Sequence, residues 1–163
     1  MDISTLNTEE LLERADILYS FNMLFSDYEQ TLRDYGNGVL MTMSEIHILD
    51  YINEKPGITA AEIADHFLIT ASAVSQVLSR LEKRAYITRE HQSGKKKLIY
   101  PTEIGTRLCN NHRAFDIQAL SKTYNYLLRD CLPEEIQTFY KVMKVYNNIM
   151  LAGRRKRLVK STG

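Results

Sequence analysis

The stretch Thr70-Ala71-Ser72-Ala73-Val74-Ser75-Gln76-Val77-Leu78-Ser79-Arg80-Leu81-Glu82-Lys83 decides the reading of this chain. Val74, Val77, Leu78 and Leu81 recur at three- and four-residue steps, which places them on one apolar face of a helix. Thr70 stands where an N-cap belongs. The opposite face carries Ser72, Ser75, Gln76 and Ser79, all small or polar. Two more helix starts lie upstream. Thr42-Met43-Ser44-Glu45 and Thr59-Ala60-Ala61-Glu62 both have the capping-box spacing. The first opens a helix with Ile46, Leu49 and Ile52 inward, stopped by Pro56-Gly57. The second opens a short helix with Ile63, Ala64 and Phe67 inward. Three capped helices within about forty residues, the last with a small polar outer face, predict a helix-turn-helix.

Downstream, Tyr86-Ile87-Thr88-Arg89 and Lys97-Leu98-Ile99-Tyr100 are β-prone runs separated by His91-Gln92-Ser93-Gly94-Lys95-Lys96. A hairpin with a basic tip fits them. Residues 42–101 therefore read as a winged helix-turn-helix lobe. Long helices flank it. In residues 9–35, Leu11, Ala15, Leu18, Phe21, Phe25, Tyr28 and Leu32 form one face, and Gly36-Asn37-Gly38 ends the helix. Pro101-Thr102 starts another helix, expected to reach Arg129. Pro133-Glu134-Glu135 starts the last, with Ile136, Phe139, Met143, Tyr146 and Met150 along one side. Faces this broad must be buried against something. Residues 9–35 and 102–151 are expected to be dimerisation helices of a symmetric homodimer. A basic tail occupies residues 153–163, including Arg154-Arg155-Lys156-Arg157. The expected class is mainly α with a small β-hairpin wing, in one domain spanning residues 1–163.

The 163 residues carry a net charge of +1, which argues against a nucleic-acid partner until the charge is placed. Residues 1–79 hold three basic and thirteen acidic side chains, whereas residues 80–100 hold seven basic and two acidic. The tail from residue 154 adds five basic side chains and no acid. The positive charge thus collects behind the third capped helix, on the wing and in the tail. Cys109 and Cys131 cannot build a disulfide framework, and reduced thiols in a cytoplasmic protein are the expectation. Neither a signal peptide nor an apolar run of about 18 residues is seen, so no membrane is expected. Phosphate-cradling glycine motifs, His-Glu-x-x-His pairs and nucleophile elbows are missing, so no enzyme is expected.

This order of elements resembles the MarR family of bacterial transcriptional regulators, from about Leu11 to Leu151. Ile58-Thr59-Ala60-Ala61-Glu62-Ile63-Ala64 resembles the family's third helix, and residues Ser72 to Lys83 resemble its recognition helix. Ala85-Tyr86-Ile87 resembles the turn into the wing, where glycine usually holds the first position. Pro101-Thr102-Glu103-Ile104-Gly105 resembles the start of its fifth helix. The wing departs from the pattern. Lys95, Lys96 and Lys97 stand in place of the family's Asp-Arg pair, and lysine brings charge without a planar fork.

The resemblance implies a double-stranded DNA partner and a pseudo-palindromic operator, with half-sites ~34 Å apart. Ser72, Ser75, Gln76 and Ser79 would face the major groove, and the Gln76 amide can bond adenine at two points. Arg80, Lys83, Arg84, Arg89, Lys95, Lys96 and Lys97 would contact phosphates, positioning the protein without specifying sequence. The alternative is a winged-helix protein-interaction module that does not bind DNA.

Repression tuned by an effector is the family expectation. Two sub-branches resemble this chain. The zinc-responsive adhesin-competence repressors hold metal through a glutamate on helix one, a histidine on helix two and two histidines on helix five. Glu29, His47 and His112 match in type, and Asp116 stands at the fourth place. That implies zinc as the possible cofactor, softened in selectivity by aspartate. The fatty-acid-synthesis repressors resemble it through the helix-two segment, Lys55 before Pro56 and Leu68-Ile69-Thr70. They imply an acyl effector in an apolar tunnel lined by Phe21, Phe25, Leu49 and Leu108. His112 also lies on the seam of Ile104, Leu108 and Phe115, where a structural histidine fits equally well, and His47 could serve as a hydrogen-bonding group across the lobe.

Overall fold

The computed structural model describes residues 7–91 and 97–161, with side chains through residue 153. The elements run α1 (Thr8–Gln30), β1 (Arg33–Asp34), β2 (Leu40–Met41), α2 (Met43–Glu54), α3 (Ala60–Phe67), α4 (Ala71–Lys83), β3 (Ile87–His91), β4 (Lys97–Pro101), α5 (Glu103–Leu127) and α6 (Pro133–Ser161). Two compact units, residues 1–115 and 116–163, divide within α5.

All the expected caps of the lobe are present. Thr42 and Thr59 make full capping boxes with Glu45 and Glu62, and the Thr70 hydroxyl accepts the Ala73 N–H. These side chains satisfy backbone donors that a helix start leaves open. Behind them, Ile46, Leu49 and Ile52 of α2, Ile63 of α3 and Val74, Val77, Leu78 and Leu81 of α4 are all buried. With Tyr86, Ile87, Ile99 and Leu108 they make one core. The wing pairs β3 with β4, Ile87 opposite Pro101 and His91 opposite Lys97. A third short rung, Ile58 against Ile99, hooks the loop before α3 onto the wing base. The sequence reading missed it because a single bridging residue has no periodicity.

The α1 boundary is corrected. Periodicity carries the helix to Tyr35, yet it stops at Gln30. Residues 33–41 instead form a two-rung antiparallel ribbon, Arg33 opposite Met41 and Asp34 opposite Leu40. The cause is Asp34. Its Oδ1 accepts the N–H groups of Gly36 (2.8 Å), Asn37 (3.0 Å) and Gly38 (3.0 Å). The Asn37 bond leads these in holding the Asp34 carboxyl below its ordinary range. Gly36 and Gly38 take φ of +88° and +73°, which glycine adopts without strain. Gly36-Asn37-Gly38 is thus the turn of a ribbon, not the end of a helix.

The exit of α4 is a Schellman turn. The Tyr86 N–H reaches the Leu81 carbonyl at 3.0 Å and the Ala85 N–H reaches that of Glu82 at 2.9 Å. Ala85 holds the left-handed position, at φ +58°. A residue with a Cβ there costs roughly 1–2 kcal/mol, of which glycine's looser unfolded chain gives back about half. Ala85→Gly should raise stability by about 0.5–1 kcal/mol, read as a higher urea midpoint at unchanged slope.

Thr102 caps α5. Its N–H donates to the Tyr86 carbonyl (2.9 Å), its hydroxyl donates to the Ala85 carbonyl (2.7 Å), and that hydroxyl accepts the Gly105 N–H (3.1 Å). The helix start is therefore stitched to the exit of α4. α5 ends at Leu127, two residues before the expected Arg129, and α6 continues to Ser161, so the expected tail is helical that far. The side chains of Arg154 to Lys160, and Lys95 and Lys96 of the wing, lie outside the described residues.

In the second unit Ile136 is buried, while Phe139, Tyr146 and Met150 remain exposed. In the first, no residue of α1 is buried. Leu11, Leu18, Phe21, Phe25 and Tyr28 all lie on the surface. Among the described residues no helix is long and apolar enough to cross a membrane.

Candidate nucleic-acid interface and buried histidine site

The amphipathic split of α4 places Ser72, Ser75, Gln76 and Ser79 outward. The Ser79 hydroxyl donates to the Ser75 carbonyl at 2.8 Å. Gln76 thus stands exposed between short side chains, on a helix whose other face is anchored in the core. A protruding amide flanked by small residues suits entry into a groove.

The nearby cations are less alike than the sequence suggests. Glu45 of α2 is only 5% exposed. One of its oxygens accepts the Thr42 N–H at 3.1 Å and the other lies 2.5 Å from Arg80 Nε. Arg84 approaches the same carboxylate at 3.9 Å. Arg89 of β3 pairs with Glu82 of α4 at 3.0 Å. Arg80, Arg84 and Arg89 therefore brace α2, α4 and the wing base against one another, and Lys83 and Lys97 are exposed. The sequence reading assigned all five to phosphates. It missed Glu45 because a capping-box glutamate is ordinarily solvent-facing.

The second cluster lies between α2 and α5. His112 is 2% exposed. Its Nδ1 is 2.6 Å from Asp50 Oδ2. The Tyr35 ring packs edge-on against it at 4.9 Å, and the His47 ring lies 5.1 Å away. Cys109, one turn earlier on α5, is fully buried. Burial first, then the hydrogen bond and negative charge of Asp50, push its thiol far above the ordinary range, which leaves it protonated and unreactive. His47, His112 and Asp116, one turn further along α5, can each offer a ligand atom with all three within 4.8 Å. Glu29 is half-buried at the end of α1 and is not in that group. Two imidazoles and a carboxylate at this spacing fit a three-ligand zinc site. Asp50 was not singled out from sequence, although it sits three residues after His47 on the same helix face.

The residues expected to line an acyl tunnel are separate. Leu49 and Leu108 belong to the lobe core. Phe21 and Phe25 stack at 5.7 Å on α1, both about half exposed. Phe21 borders an open groove along α1 with Leu12, Ile17 and Leu24, whereas Leu108 borders a different cavity with Asn37 and Asn111.

Known proteins are similar to this chain in sequence and fold. Residues 41–97 match the MarR family. An HTH-type transcriptional regulator of Bacillus subtilis, YhjH, is 26% identical over 98 residues, covering 59% of this chain and 56% of that protein. The chain thus spans about half the length of the curated relative it matches. FabT of Streptococcus pneumoniae, solved in complex with DNA, superposes with a TM-score of 0.63 at 16% identity, over 88% of this chain and 97% of that one. ZitR of Lactococcus lactis, a zinc-responsive MarR family member, superposes with a TM-score of 0.63 at 22% identity, over 86% and 99%. Residues 41–97 thus resemble the MarR family, in a chain that shares the fold of FabT and ZitR.

Proposed function

We propose that this protein is a sequence-specific, double-stranded DNA-binding transcriptional repressor that acts as a homodimer on a pseudo-palindromic operator. The observation that carries this is the split of α4, with four apolar residues locked in the core and Ser72, Ser75, Gln76 and Ser79 presented outward. Gln76 reads a base, and the flanking serines contact bases or phosphates. Lys83, the wing lysines and any arginine released from its ion pair contact phosphates. Residues 42–101 form the DNA-binding lobe. Residues 9–35 and 102–151 supply the dimer helices, a role supported by the exposed apolar side chains of α1 and α6.

The test is a mobility-shift titration on the chain's own upstream region. One bidentate base contact is worth about 1–3 kcal/mol of discrimination. Gln76→Ala should therefore weaken cognate binding roughly tenfold or more and leave random-sequence binding unchanged. Equal affinity of the unmodified protein for cognate and random DNA would overturn the reading.

The effector that the geometry favours is a divalent metal at His47, His112 and Asp116. It is supported by the convergence of two imidazoles and a carboxylate. An acyl chain lined by all four residues would need Leu49 to leave the core, and Phe21 and Leu108 border different cavities. Zinc bound there would hold α2 and α5 at one spacing and so bias the placement of α4. Removing an imidazole ligand should cost most of the affinity. His112→Ala and His47→Ala are each expected to lose bound zinc by elemental analysis, and DNA binding by the unmodified protein should respond to a chelator.

A further inference from the structure

We infer that Asp50 is a positioning residue for the histidine site, fixing the tautomer and ring orientation of His112. The inference rests on the metal reading above and adds a residue that the donor set does not contain. The Asp50 carboxylate comes from the middle of α2 and meets His112 Nδ1 at 2.6 Å. A carboxylate can only accept at that distance, so Nδ1 carries the proton. With Nδ1 protonated, the ring can ligate a metal only through Nε2, the nitrogen turned away from Asp50. Metal-binding histidines characteristically donate their other N–H to a carboxylate in this way, which raises the basicity of the ligating nitrogen.

Two ring contacts and burial make the orientation a property of the fold. The Tyr35 ring packs edge-on at 4.9 Å and blocks ring rotation on one side. His47 comes from α2 one turn before Asp50, with its ring 5.1 Å from that of His112. α2 therefore supplies both a ligand and the residue that aims the second ligand. His112 is almost fully buried, so solvent cannot replace Asp50 as the acceptor.

The test uses the full chain and the Asp50→Asn variant, whose amide can donate to Nδ1 and reverse the tautomer. Two measurements are made. Long-range 15N–1H NMR of the His112 ring, without metal, should show the Nδ1–H tautomer in the unmodified protein and its loss in Asp50→Asn. Competition against a chromophoric chelator should show zinc affinity falling about 10- to 100-fold in Asp50→Asn, with partial recovery in Asp50→Glu. An unchanged ring signature together with unchanged zinc affinity, in a variant of native circular dichroism, overturns the inference. If the unmodified protein binds no zinc, the metal reading fails. The tautomer measurement then still decides whether Asp50 sets His112.

Discussion

Gly105→Ala is expected to destabilise the protein by about 3 kcal/mol or more, the upper range for forcing added volume into a packed site. Helix propensity alone predicts the opposite sign, because alanine exceeds glycine by about 1 kcal/mol inside a helix. The contact decides. A Cβ at Gly105 would lie 2.2 Å from the Tyr86 carbonyl oxygen and 3.1 Å from its carbonyl carbon. That carbonyl cannot withdraw cheaply, since it accepts the Thr102 N–H at 2.9 Å. The Tyr86 side chain is buried, and its hydroxyl accepts a bond from the Asn37 amide at 2.7 Å. Relief would open the junction between the exit of α4 and the start of α5. Thermal denaturation should show a midpoint lower by roughly 6–12 °C. A midpoint equal to or above that of the unmodified protein would show that the junction yields.

The second large effect is at Glu45. Glu45→Ala removes the reach-back half of a capping box, worth about 1 kcal/mol. It also removes the acceptor of a charge-assisted hydrogen bond from Arg80, worth about 1.5–3 kcal/mol in well-buried settings. Arg80 is 48% exposed and can rehydrate, so the second contribution is discounted toward its lower end. The expected loss is about 2–3 kcal/mol. Glu45→Gln separates the parts. Glutamine keeps the cap and drops the charge, so its loss should be about 1 kcal/mol. If the DNA reading holds, Glu45→Gln also frees Arg80 and Arg84 for phosphates. Binding to random DNA should then tighten, with a salt dependence steeper by about one unit of slope per recruited contact. An unaltered salt slope would place both arginines away from DNA.

The lobe was legible in the sequence because its signals are local and repeated. Three threonine caps mark its helices, and the periods of Ile46 to Ile52 and Val74 to Leu81 name the buried faces. The β1–β2 ribbon was not legible. Leu32 continues the apolar face of α1 in register, while Asp34, whose carboxylate ends that pattern, looks like any polar residue near a helix end. The ion pairs were hidden for another reason. Arg80 and Glu45 are 35 positions apart, and only folding shows that Arg80 and Arg84 meet an internal acid. His47, His112 and Asp116, expected from the resemblance, lie with ligand atoms within 4.8 Å of one another, and Glu29 is not in that group. Asp50 needed the tertiary pairing of α2 with α5.

Glu45 faces α4 and its ion pairs, whereas His47 and Asp50, within the next two turns, face His112 of α5. A displacement of the twelve-residue α2 toward one neighbour would alter its contacts with the other. Any ligand that changes how α2 meets α5 must then share a free energy with whatever α4 binds. If the proposed zinc and operator readings hold, such sharing is reciprocal: the factor by which zinc changes operator affinity equals the factor by which the operator changes zinc affinity. Zinc titrations in the presence and absence of operator, closed into a four-state cycle with DNA titrations, should return one coupling constant from both directions.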